Sequence, residues 1–357
     1  MANNTLKYVE VSNWLRKNIQ DGTIKAGERL VSEHDLCNDF NISRHTARSA
    51  IAVLEKEGLV VRKQGSGTFV NLDLNAARKN IGVLLTHTYD YTFPQIISGI
   101  EEVLSHKGHR MLVAFTQNKV EIERNQLLSL LSANIHGLIV EAVKSALVNP
   151  NLSIYKDIIA QKIPVIFVNT YPKRLDCSYI INDDVEGGQI AAEYLITQGH
   201  SKIGGLFKHD AIQGALRYEG LINKLYEHNH NIDENRVIWY STESLDYLFS
   251  DEQLPQLERT LSDCTAVICY SDTVAHMLIE AAPRLGIRIP DDLSLISFDD
   301  SHISRLSSPP ITSITHPGTE IGKLAAENIL KIIENFNRKI HHTYQPKLIV
   351  RGTVRKI

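Results

Sequence analysis

The sequence lacks both the long apolar runs of a membrane protein and the leader of a secreted one. Its apolar runs at 81–85, 164–168 and 266–270 are far shorter than the roughly 20 residues that cross a bilayer. Charged residues interrupt every apolar run in the first 20 residues, so no signal-peptide pattern is present. We therefore expect a cytoplasmic protein without a membrane partner.

Cysteine is scarce, and the common enzyme motifs are missing. The four cysteines, Cys37, Cys177, Cys264 and Cys269, have no metal-type spacing and fit free thiols in a reducing compartment. The chain has no Gly-x-Ser-x-Gly elbow, no His-Glu-x-x-His, no phosphate-binding loop and no Gly-x-Gly-x-x-Gly after a strand. We therefore predict that the protein is not an enzyme and binds neither a metal nor a cofactor.

Net charge is small as well. A net charge of −3 over 357 residues excludes a uniformly basic surface that binds nucleic acid. Residues 1–70 contain ten Lys or Arg against eight Asp or Glu, so any DNA binding there depends on where the cations lie. Four of those ten fall in one short helix and the hairpin after it: Arg44, Arg48, Arg62 and Lys63.

The first 70 residues show the element order of a winged helix-turn-helix. Apolar residues at helical spacing predict a first helix over 6–20. Ser32 with Asp35 has the pattern of a capping box for a second helix, and Ser43 has that of the N-cap of a third. A basic hairpin follows at 60–70 and takes the place of the wing.

Side chains of the third helix and the hairpin have the chemistry of a DNA contact. A helix fits the major groove, where arginine pairs with guanine and hydroxyls or a helix N-terminus meet phosphate. Ala47 and Ile51 belong to the buried stripe of the helix, whereas Arg44, His45 and Arg48 project from its other side. The alternative is that these charges only solvate a helix face and that the glycines form an ordinary turn.

Four segments of this region, 22–30, 32–36, 43–48 and 58–70, resemble the gluconate-repressor (GntR) family of bacterial regulators. Val31 stands where that family usually has proline. The resemblance implies base and phosphate contacts, including one from Glu33. The residues that we expect at DNA are Glu33, Ser43, Arg44, His45, Thr46, Arg48, Arg62, Lys63, Gln64, Gly65 and Ser66.

After a polar stretch at 71–79, the remaining chain alternates between apolar runs and amphipathic segments. The predicted strands lie at 81–85, 110–115, 137–140, 165–168, 179–181, 203–207, 266–270 and 294–298. Helical patterns lie between most of them, for example at 95–106, 121–132, 185–198 and 273–285. The alternation predicts an α/β fold with parallel sheets in two lobes, and a ligand between the lobes at the carboxyl ends of the strands.

Polar and aromatic residues follow the predicted strands. Such residues suit a small polyol, because each hydroxyl both donates and accepts. The residues that we expect at the ligand are Tyr89, Tyr91, Phe93, Glu141, Lys144, Asn169, Asp183, Arg217, Ser271, Asp272 and Asp299. Aspartates after a strand also commonly cap the next helix, which is the alternative for Asp184 and Asp272. Tyr91 as a core residue and Lys144 as a surface residue are further alternatives.

Three segments of residues 80–355, namely 188–200, 215–220 and 289–300, resemble the lac/galactose repressor family of sugar-responsive domains in order and spacing. That family shares its fold with periplasmic sugar-binding proteins. The resemblance implies that Arg217 and Asp299 hold the effector. Ser271 and Ser297 depart from the family pattern, which usually has asparagine and glycine at these positions.

Segments 89–94, 139–147 and 183–188 are similar to the arabinose-responsive repressors of Bacillus-like bacteria, which combine both halves. The resemblance implies a homodimer on palindromic operator DNA that L-arabinose releases. The expected organisation is a winged helix-turn-helix DNA-binding domain at 1–70, a linker at 71–79, and a two-lobed effector-binding and dimerisation domain at 80–357. Another sugar or a sugar phosphate as effector, and a sugar-binding protein of transport, are the alternatives.

Overall fold

The computed structural model describes residues 3–63, 66–71, 78–87, 92–231 and 233–357. Contacts between residues divide the chain into two units, Met1–Lys79 and Asn80–Ile357. Most of the polar stretch before this boundary lies outside the described residues. Every described helix is too short or too polar to cross a bilayer.

The first unit consists of three helices followed by a hairpin, which confirms the predicted order. Its elements are α1 (Asn3–Gln20), α2 (Glu33–Phe40), α3 (Arg44–Lys56), β1 (Val60–Lys63) and β2 (Gly67–Val70). Ser32 and Asp35 form the capping box of α2. Ser43 caps α3, because its hydroxyl oxygen accepts a 3.2 Å hydrogen bond from the Thr46 backbone N–H. Buried apolar side chains from all three helices and both strands form the core of the unit.

A short segment before α2 extends the base of the hairpin. Arg29 forms a bridge with Phe69, and the backbone N–H of Leu30 donates to the Thr68 carbonyl oxygen at 2.8 Å. Gly67 has a φ of 110°, and a Cβ at this position would lie 2.9 Å from Nε of Arg29. A larger residue at position 67 would therefore be strained and would displace Arg29.

The second unit is built on two sheets. Its strands along the chain are β3 (Asn80–Leu85), β4 (Arg110–Phe115), β5 (Gly137–Val140), β6 (Val165–Val168), β7 (Ser178–Asn182), β8 (Ile203–Lys208), β9 (Val237–Tyr240), β10 (Ala266–Cys269), β11 (Ser294–Asp299), β12 (Thr312–Thr315), β13 (His341–Tyr344) and β14 (Leu348–Ile349). The first sheet has the order β13-β7-β6-β5-β3-β4, and the second has the order β14-β12-β11-β10-β8-β9. All neighbouring strands are parallel except β12 and β14.

Helices cover the two sheets and make each of them the centre of a lobe. They are α4 (Thr92–His106), α5 (Val120–Ser132), α6 (Leu152–Ala160), α7 (Asp184–Thr197), α8 (Ile212–Glu227), α9 (Leu245–Leu248), α10 (Leu254–Leu261), α11 (Asp272–Ala281), α12 (His302–Leu306) and α13 (Gly318–Glu334). The first lobe consists of the first sheet with α4, α5, α6 and α13, and the second lobe contains the other helices. The chain passes between the lobes after β7, after β12 and after β13, and we call these passages the first, second and third crossover.

The predicted fold class, α/β with parallel sheets in two lobes, is confirmed. All eight predicted strands are present, with ends that shift by at most one residue. The prediction missed β9, β12, β13 and β14. Strand β12 was not predicted because its buried residues include polar Thr312 and Ser313, so its sequence lacks an apolar run. Strand β13 alternates between exposed and half-buried residues at a sheet edge, which leaves no apolar run either.

Close packing of α7 against α8 sets the position of two charged residues in the second lobe. A Cβ on Gly188 would lie 2.2 Å from the carbonyl oxygen of Arg217, and one on Gly220 would lie 2.2 Å from that of Val185. The two helices can therefore approach this closely only because glycine stands at both positions. The approach brings Asp184, at the start of α7, beside Arg217 on α8.

Candidate ligand cleft and nucleic-acid interface

A polar cavity lies between the two lobes of the second unit, at the carboxyl ends of the strands. It encloses about 420 Å³ of space free of protein atoms, part of which is open to solvent. Its lining residues are Phe93, Glu141, Asn169, Asn182, Asp184, Gln213, Arg217, Tyr270, Asp299 and His316. This position at the carboxyl ends of the strands is typical of a small-molecule site in an α/β fold.

The Arg217 side chain is fixed on every side at the cavity wall. Its Nε donates to Oδ1 of Asp184 at 2.7 Å, and its Nη1 donates to the carbonyl oxygen of Tyr270. The guanidinium carbon lies 4.8 Å from the centroid of the Tyr270 ring and 4.2 Å from that of Phe298. Burial raises the pKa of the Asp184 carboxyl above its ordinary value, although the charge of Arg217 opposes this shift.

A chain of hydrogen bonds runs from the first lobe to the second crossover. Thr86 donates from its backbone N–H and its hydroxyl to Oε2 of Glu141. Asn169 Nδ2 donates to Glu141 Oε1 at 2.9 Å, and Asn169 Oδ1 lies 3.0 Å from Nε2 of His316. Because the carboxylate accepts from the amide nitrogen, the amide oxygen of Asn169 must accept from His316.

Three buried acceptor atoms of the cavity have no protein hydrogen-bond partner in the described part of the chain. They are Oδ1 of Asn182, Oε1 of Gln213 and Nδ1 of His316. Asn182 and Gln213 are 6 % and 8 % exposed. An unsatisfied buried acceptor costs free energy, so donor groups of a molecule in the cavity would stabilise these three atoms.

Two lining residues have strained backbone conformations. Asn169 has a φ of 63° and Asp299 has a φ of 107°, which is the left-handed region that side chains with a Cβ rarely adopt. Both stand at the last residue of a buried strand or directly after it. Backbone strain of this kind concentrates at ligand-binding sites, where the surrounding structure holds it in place.

Five of the residues expected at the ligand line the cavity together: Phe93, Glu141, Asn169, Arg217 and Asp299. Tyr89 and Tyr91 lie outside the described residues. Asp183, Ser271, Asp272 and Lys144 are placed elsewhere.

Asp183 and Ser271 cap helices and do not line the cavity. Asp183 Oδ1 accepts from the Glu186 N–H at 3.0 Å at the start of α7, and the hydroxyl oxygen of Ser271 accepts from the Val274 N–H at 3.4 Å at the start of α11. From the sequence, Asp184 and Asp272 were the alternative capping residues. The observed caps stand directly before them, so the predicted caps were one residue too far along the chain at both helices. The caps precede the first helical turn, because only there does a side chain reach the free N–H groups.

Asp272 lies behind the cavity in the core of the second lobe, where it is 1 % exposed. It accepts hydrogen bonds from the hydroxyls of Ser297 and Ser313 and from the backbone N–H of Ser301. Ser297, which departs from the pattern of the resembling family, therefore solvates a buried carboxylate. Burial raises the pKa of Asp272, while these hydrogen bonds oppose the shift.

Lys144 connects the two lobes outside the cavity. Its Nζ lies 2.7 Å from Oε1 of Glu243 and 3.5 Å from Oδ2 of Asp210, both of which belong to the second lobe. Asn118 joins this contact, since its Nδ2 donates to Asp210 at 3.1 Å and to the Thr242 hydroxyl at 2.6 Å. The hydrogen bond from Lys144 lowers the pKa of Glu243 to about 2.

Sequence reasoning missed four lining residues: Asn182, Gln213, Tyr270 and His316. Asp184, which also lines the cavity, had been considered both at the ligand and as a helix cap. Asn182 and Tyr270 are adjacent to strand ends that had been recognised, so the carboxyl-end rule itself pointed to them. His316 had no such signal, because strand β12 before it was not predicted. Gln213 lies on the first turn of α8, where sequence pattern alone does not show which face meets the other lobe.

In the first unit, three exposed arginines surround one carboxylate. Arg48 makes a two-pronged ion pair with Glu33, at 3.2 Å from Nε to Oε1 and 3.1 Å from Nη2 to Oε2. The hydrogen bond from Arg48 lowers the pKa of Glu33, and the charges of Arg62 and Arg44 lower it further. The Arg62 Nε also lies 3.2 Å from Glu55 Oε2. The α3 and β1 cations therefore form one exposed basic cluster.

The other residues expected at DNA differ in their exposure. Ser43, His45 and Ser66 are exposed, and Lys63 Nζ lies 5.1 Å from the centroid of the Phe69 ring. Thr46 is 3 % exposed, and its hydroxyl lies 2.8 Å from that of Ser43. The structure therefore places the Thr46 side chain inside the helix cap and not at the surface. Gln64 and Gly65 lie outside the described residues.

Both units match known families. Residues 7–70 match the family described as bacterial regulatory proteins, gntR family, and residues 192–354 match the periplasmic binding protein-like domain. The chain is 36 % identical to the arabinose metabolism transcriptional repressor of Geobacillus stearothermophilus, over 98 % of both chains. It is also 36 % identical to the repressor of the same name from Halalkalibacterium halodurans, over 97 % of this chain and 96 % of that protein.

A solved structure supports the same architecture. The complex of the transcriptional regulator CelR with cellobiose aligns with a TM-score of 0.67, over 87 % of this chain and 91 % of the other. The sequences are 19 % identical, so the likeness concerns the fold.

Proposed function

The chain belongs to the family of the arabinose metabolism transcriptional repressors, and from this premise we propose that it binds operator DNA as a homodimer and releases it when L-arabinose occupies the cleft. As a member of this family it is a sugar-responsive transcriptional repressor and not an enzyme. The dimer, the identity of the sugar and the direction of its effect are the proposal. Because operator DNA is its partner, we propose that it acts in the cytoplasm.

Exposed basic side chains support a DNA contact through residues 1–70. Arg44 and Arg48 stand on the first turns of α3, where a recognition helix meets base edges. Arg62 and Lys63 continue the same basic cluster into the hairpin. We assign direct contacts to this cluster with Glu33, Ser43, His45, Gln64, Gly65 and Ser66. Residues 71–79 serve as the linker, and residues 80–357 bind the effector and form the dimer.

The chemistry of the cleft supports a polyol effector. Three unsatisfied acceptors, on Asn182, Gln213 and His316, call for O–H or N–H donors. Arg217 and the carboxylate of Asp299 supply one charged donor group and one charged acceptor group. A sugar meets both needs, because every hydroxyl donates one hydrogen bond and accepts others.

Charge favours a neutral sugar over a sugar phosphate. The cavity is lined by three carboxylates, from Glu141, Asp184 and Asp299, and by one guanidinium, which already pairs with Asp184. A phosphate group is an acceptor with a negative charge, so it would be repelled by these carboxylates, and it would replace one hydroxyl donor of the sugar by acceptor oxygens. L-Arabinose is a neutral sugar, and the names of the two relatives point to it.

Release of DNA requires that the sugar favour one arrangement of the lobes over another. In a dimer, that arrangement changes how the two DNA-binding units match their half-sites. A coupling free energy of about 1–3 kcal/mol corresponds to a 5- to 150-fold change in operator affinity, which is enough for derepression.

The test is a fluorescence-anisotropy titration of the full chain against a palindromic operator, with and without L-arabinose at fixed salt. The proposal expects tight binding that L-arabinose weakens at least fivefold and that D-xylose and D-galactose leave unchanged. Release by a sugar phosphate alone would refute the effector, and affinity unaffected by any sugar would refute the coupling. The protein-to-operator ratio at saturation tests the dimer.

A further inference from the structure

The three crossovers between the lobes are hydrogen-bonded to one another beneath the cleft. Asn182 Nδ2, on the first crossover, donates to the Thr315 carbonyl oxygen on the second at 3.2 Å. The Asp183 N–H donates to the Tyr344 carbonyl oxygen on the third at 3.0 Å. The Thr315 N–H donates to the carbonyl oxygen of Lys347 at 2.8 Å, which joins the second crossover to the third. Any change in the angle between the lobes must therefore alter the geometry of the three crossovers or of the hydrogen bonds that join them.

The hydrogen bonds of Asn182 fix the orientation of its amide. Because its Nδ2 donates to a backbone carbonyl, its Oδ1 must face the other way. This oxygen is buried, meets no protein donor among the described residues and belongs to a residue of the cavity lining. The first crossover thus presents one acceptor of known position to a ligand.

The tautomer of His316 follows from its neighbours in the same way. Asn169 donates through Nδ2 to Glu141, so its Oδ1 must accept from Nε2–H of His316. A neutral imidazole protonated at Nε2 carries a lone pair at Nδ1. Burial, aided by the charge of Arg217, lowers the pKa of His316 to about 4, so the ring is neutral at physiological pH. The second crossover therefore presents an acceptor at Nδ1, which is also buried and has no protein partner in the described ranges of the chain.

We propose that two hydroxyls of the effector donate to Asn182 Oδ1 and His316 Nδ1, and that these two acceptors couple ligand binding to the arrangement of the lobes. The inference rests on the proposed function and assigns a separate role to each part of the cleft. Arg217 and Asp299 bind the sugar and supply affinity, whereas Asn182 and His316 couple its binding to the position of the crossovers.

The physical reason is that only a differential interaction shifts an equilibrium. A contact with the sugar that is equally strong in both lobe arrangements increases the affinity for the sugar but contributes nothing to its coupling with DNA binding. Asn182 and His316 lie on different crossovers, which the hydrogen bond from Asn182 Nδ2 to the Thr315 carbonyl oxygen joins beside both acceptors. A change of lobe angle that alters this bond changes the spacing of the two acceptors, so one rigid sugar satisfies both of them in a single arrangement. Gln213 carries the third unsatisfied acceptor on α8 of the second lobe, but its Nε2 also donates to the Asn169 carbonyl oxygen of the first lobe at 3.3 Å.

The experiment compares coupling with affinity in the full-length protein. Coupling is the ratio of operator Kd values with and without saturating L-arabinose, and sugar affinity is measured by calorimetry. In His316→Gln, the amide nitrogen keeps a donor near the Nε2 position for Asn169 but the Nδ1 acceptor is lost. We expect the coupling ratio to fall about tenfold at saturating sugar, the effect of one lost hydrogen bond. Asn182→Leu should have a similar effect and serves as the second variant if His316→Gln does not fold.

Two controls separate this role from a purely structural one. Asp299→Asn alters a charged acceptor at the end of β11 in the second lobe, away from the crossovers, so it should weaken sugar binding about tenfold and keep the wild-type coupling ratio. Deoxy-L-arabinoses provide the second control. One of them should bind the wild type about tenfold more weakly than L-arabinose does. The same deoxy sugar should bind His316→Gln as tightly as L-arabinose does, because the missing hydroxyl and the missing acceptor are partners.

The outcomes distinguish the inference from the function on which it rests. If L-arabinose fails to release the wild type, both are overturned. If the wild type is released while folded His316→Gln and Asn182→Leu keep the full coupling ratio, the inference alone is overturned. The same holds if Asp299→Asn loses coupling as strongly, or if every deoxy sugar loses the same affinity in His316→Gln as in the wild type.

Discussion

Arg217 and Asp184 form a buried ion pair that connects two helices at the wall of the ligand cleft. The distance from Arg217 Nε to Asp184 Oδ1 is 2.7 Å, and the two side chains are 6 % and 4 % exposed. The pair exists because glycines at 188 and 220 allow α7 and α8 to approach closely. Helix packing in the second lobe therefore determines the orientation of the guanidinium that lines the cavity.

Removal of one member of this pair should destabilise the protein strongly. Asp184→Ala leaves a buried guanidinium without its counter-charge, so we expect a loss of about 3–5 kcal/mol in the free energy of unfolding. Urea denaturation followed by Trp239 fluorescence, in a Trp14→Phe background, measures this loss in the second unit. The double variant Asp184→Leu/Arg217→Met should lose less than Asp184→Ala. An equal or larger loss would show that the pair itself stabilises the fold.

The contact of Lys144 with Glu243 should influence sugar affinity from outside the cavity. It holds the two lobes in the arrangement that encloses the cleft, and both side chains are partly exposed. Lys144→Met should therefore weaken L-arabinose binding by a few-fold, since such pairs contribute about 0.2–1 kcal/mol. Lys339→Met removes a lysine that pairs with Asp176 within the first lobe, and it should have no effect. An unchanged Kd in Lys144→Met, measured by calorimetry, would contradict this role.

Arg48→Ala should affect DNA binding and leave sugar binding unchanged, because the two functions belong to separate units. We expect operator affinity to fall by about 1–3 kcal/mol, together with relaxed sequence preference if Arg48 contacts a base. Arg16→Ala removes the same charge from the first unit, but Arg16 pairs with Glu57 at 2.6 Å and serves as the control. Fluorescence anisotropy measures the operator affinity of each variant, and calorimetry measures its sugar affinity. A loss of both in Arg48→Ala would refute the separation.

The pH dependence of sugar binding should show that His316 is a neutral acceptor. Its pKa is lowered to about 4, first by burial and then by the charge of Arg217. Since the lone pair at Nδ1 is lost only on protonation, the affinity ratio of wild type to His316→Gln should stay constant from pH 8 to about 5.5 and fall below about 4.5. A ratio that declines from pH 7 would indicate an ordinary histidine pKa near 6.5 and contradict the assignment.

Ser297→Gly should destabilise the second lobe, because it removes a hydroxyl donor from buried Asp272. The Ser313 hydroxyl and the Ser301 N–H remain, so we expect a loss of about 1–3 kcal/mol in the free energy of unfolding. Ser262→Gly at the exposed C-cap of α10 is the control for the change in backbone freedom. Thermal melting of both variants checks the difference, and equal melting temperatures would refute the role of the Ser297 hydroxyl.

Local signals in the sequence predicted much of the fold. The capping residues Ser32 and Ser43 and the apolar stripe of the third helix act over a few residues, so their pattern is readable without tertiary structure. Buried strands of the second unit were predicted because their apolar runs are continuous. The polar buried strand β12 had no such signal, and His316 after it was missed for that reason.

The sequence by itself determined the order of the elements, the α/β class and the position of the cleft at the strand ends, because each follows from local pattern and from the rule for parallel sheets. Only the tertiary structure decided that Asp183 caps a helix while Asp184 pairs with Arg217. It also decided that Lys144 bridges the lobes and that Asn182 and His316 both line the cavity. The bridge joins Lys144 to Glu243, which are 99 positions apart, and such proximity depends on how the chain crosses between the lobes.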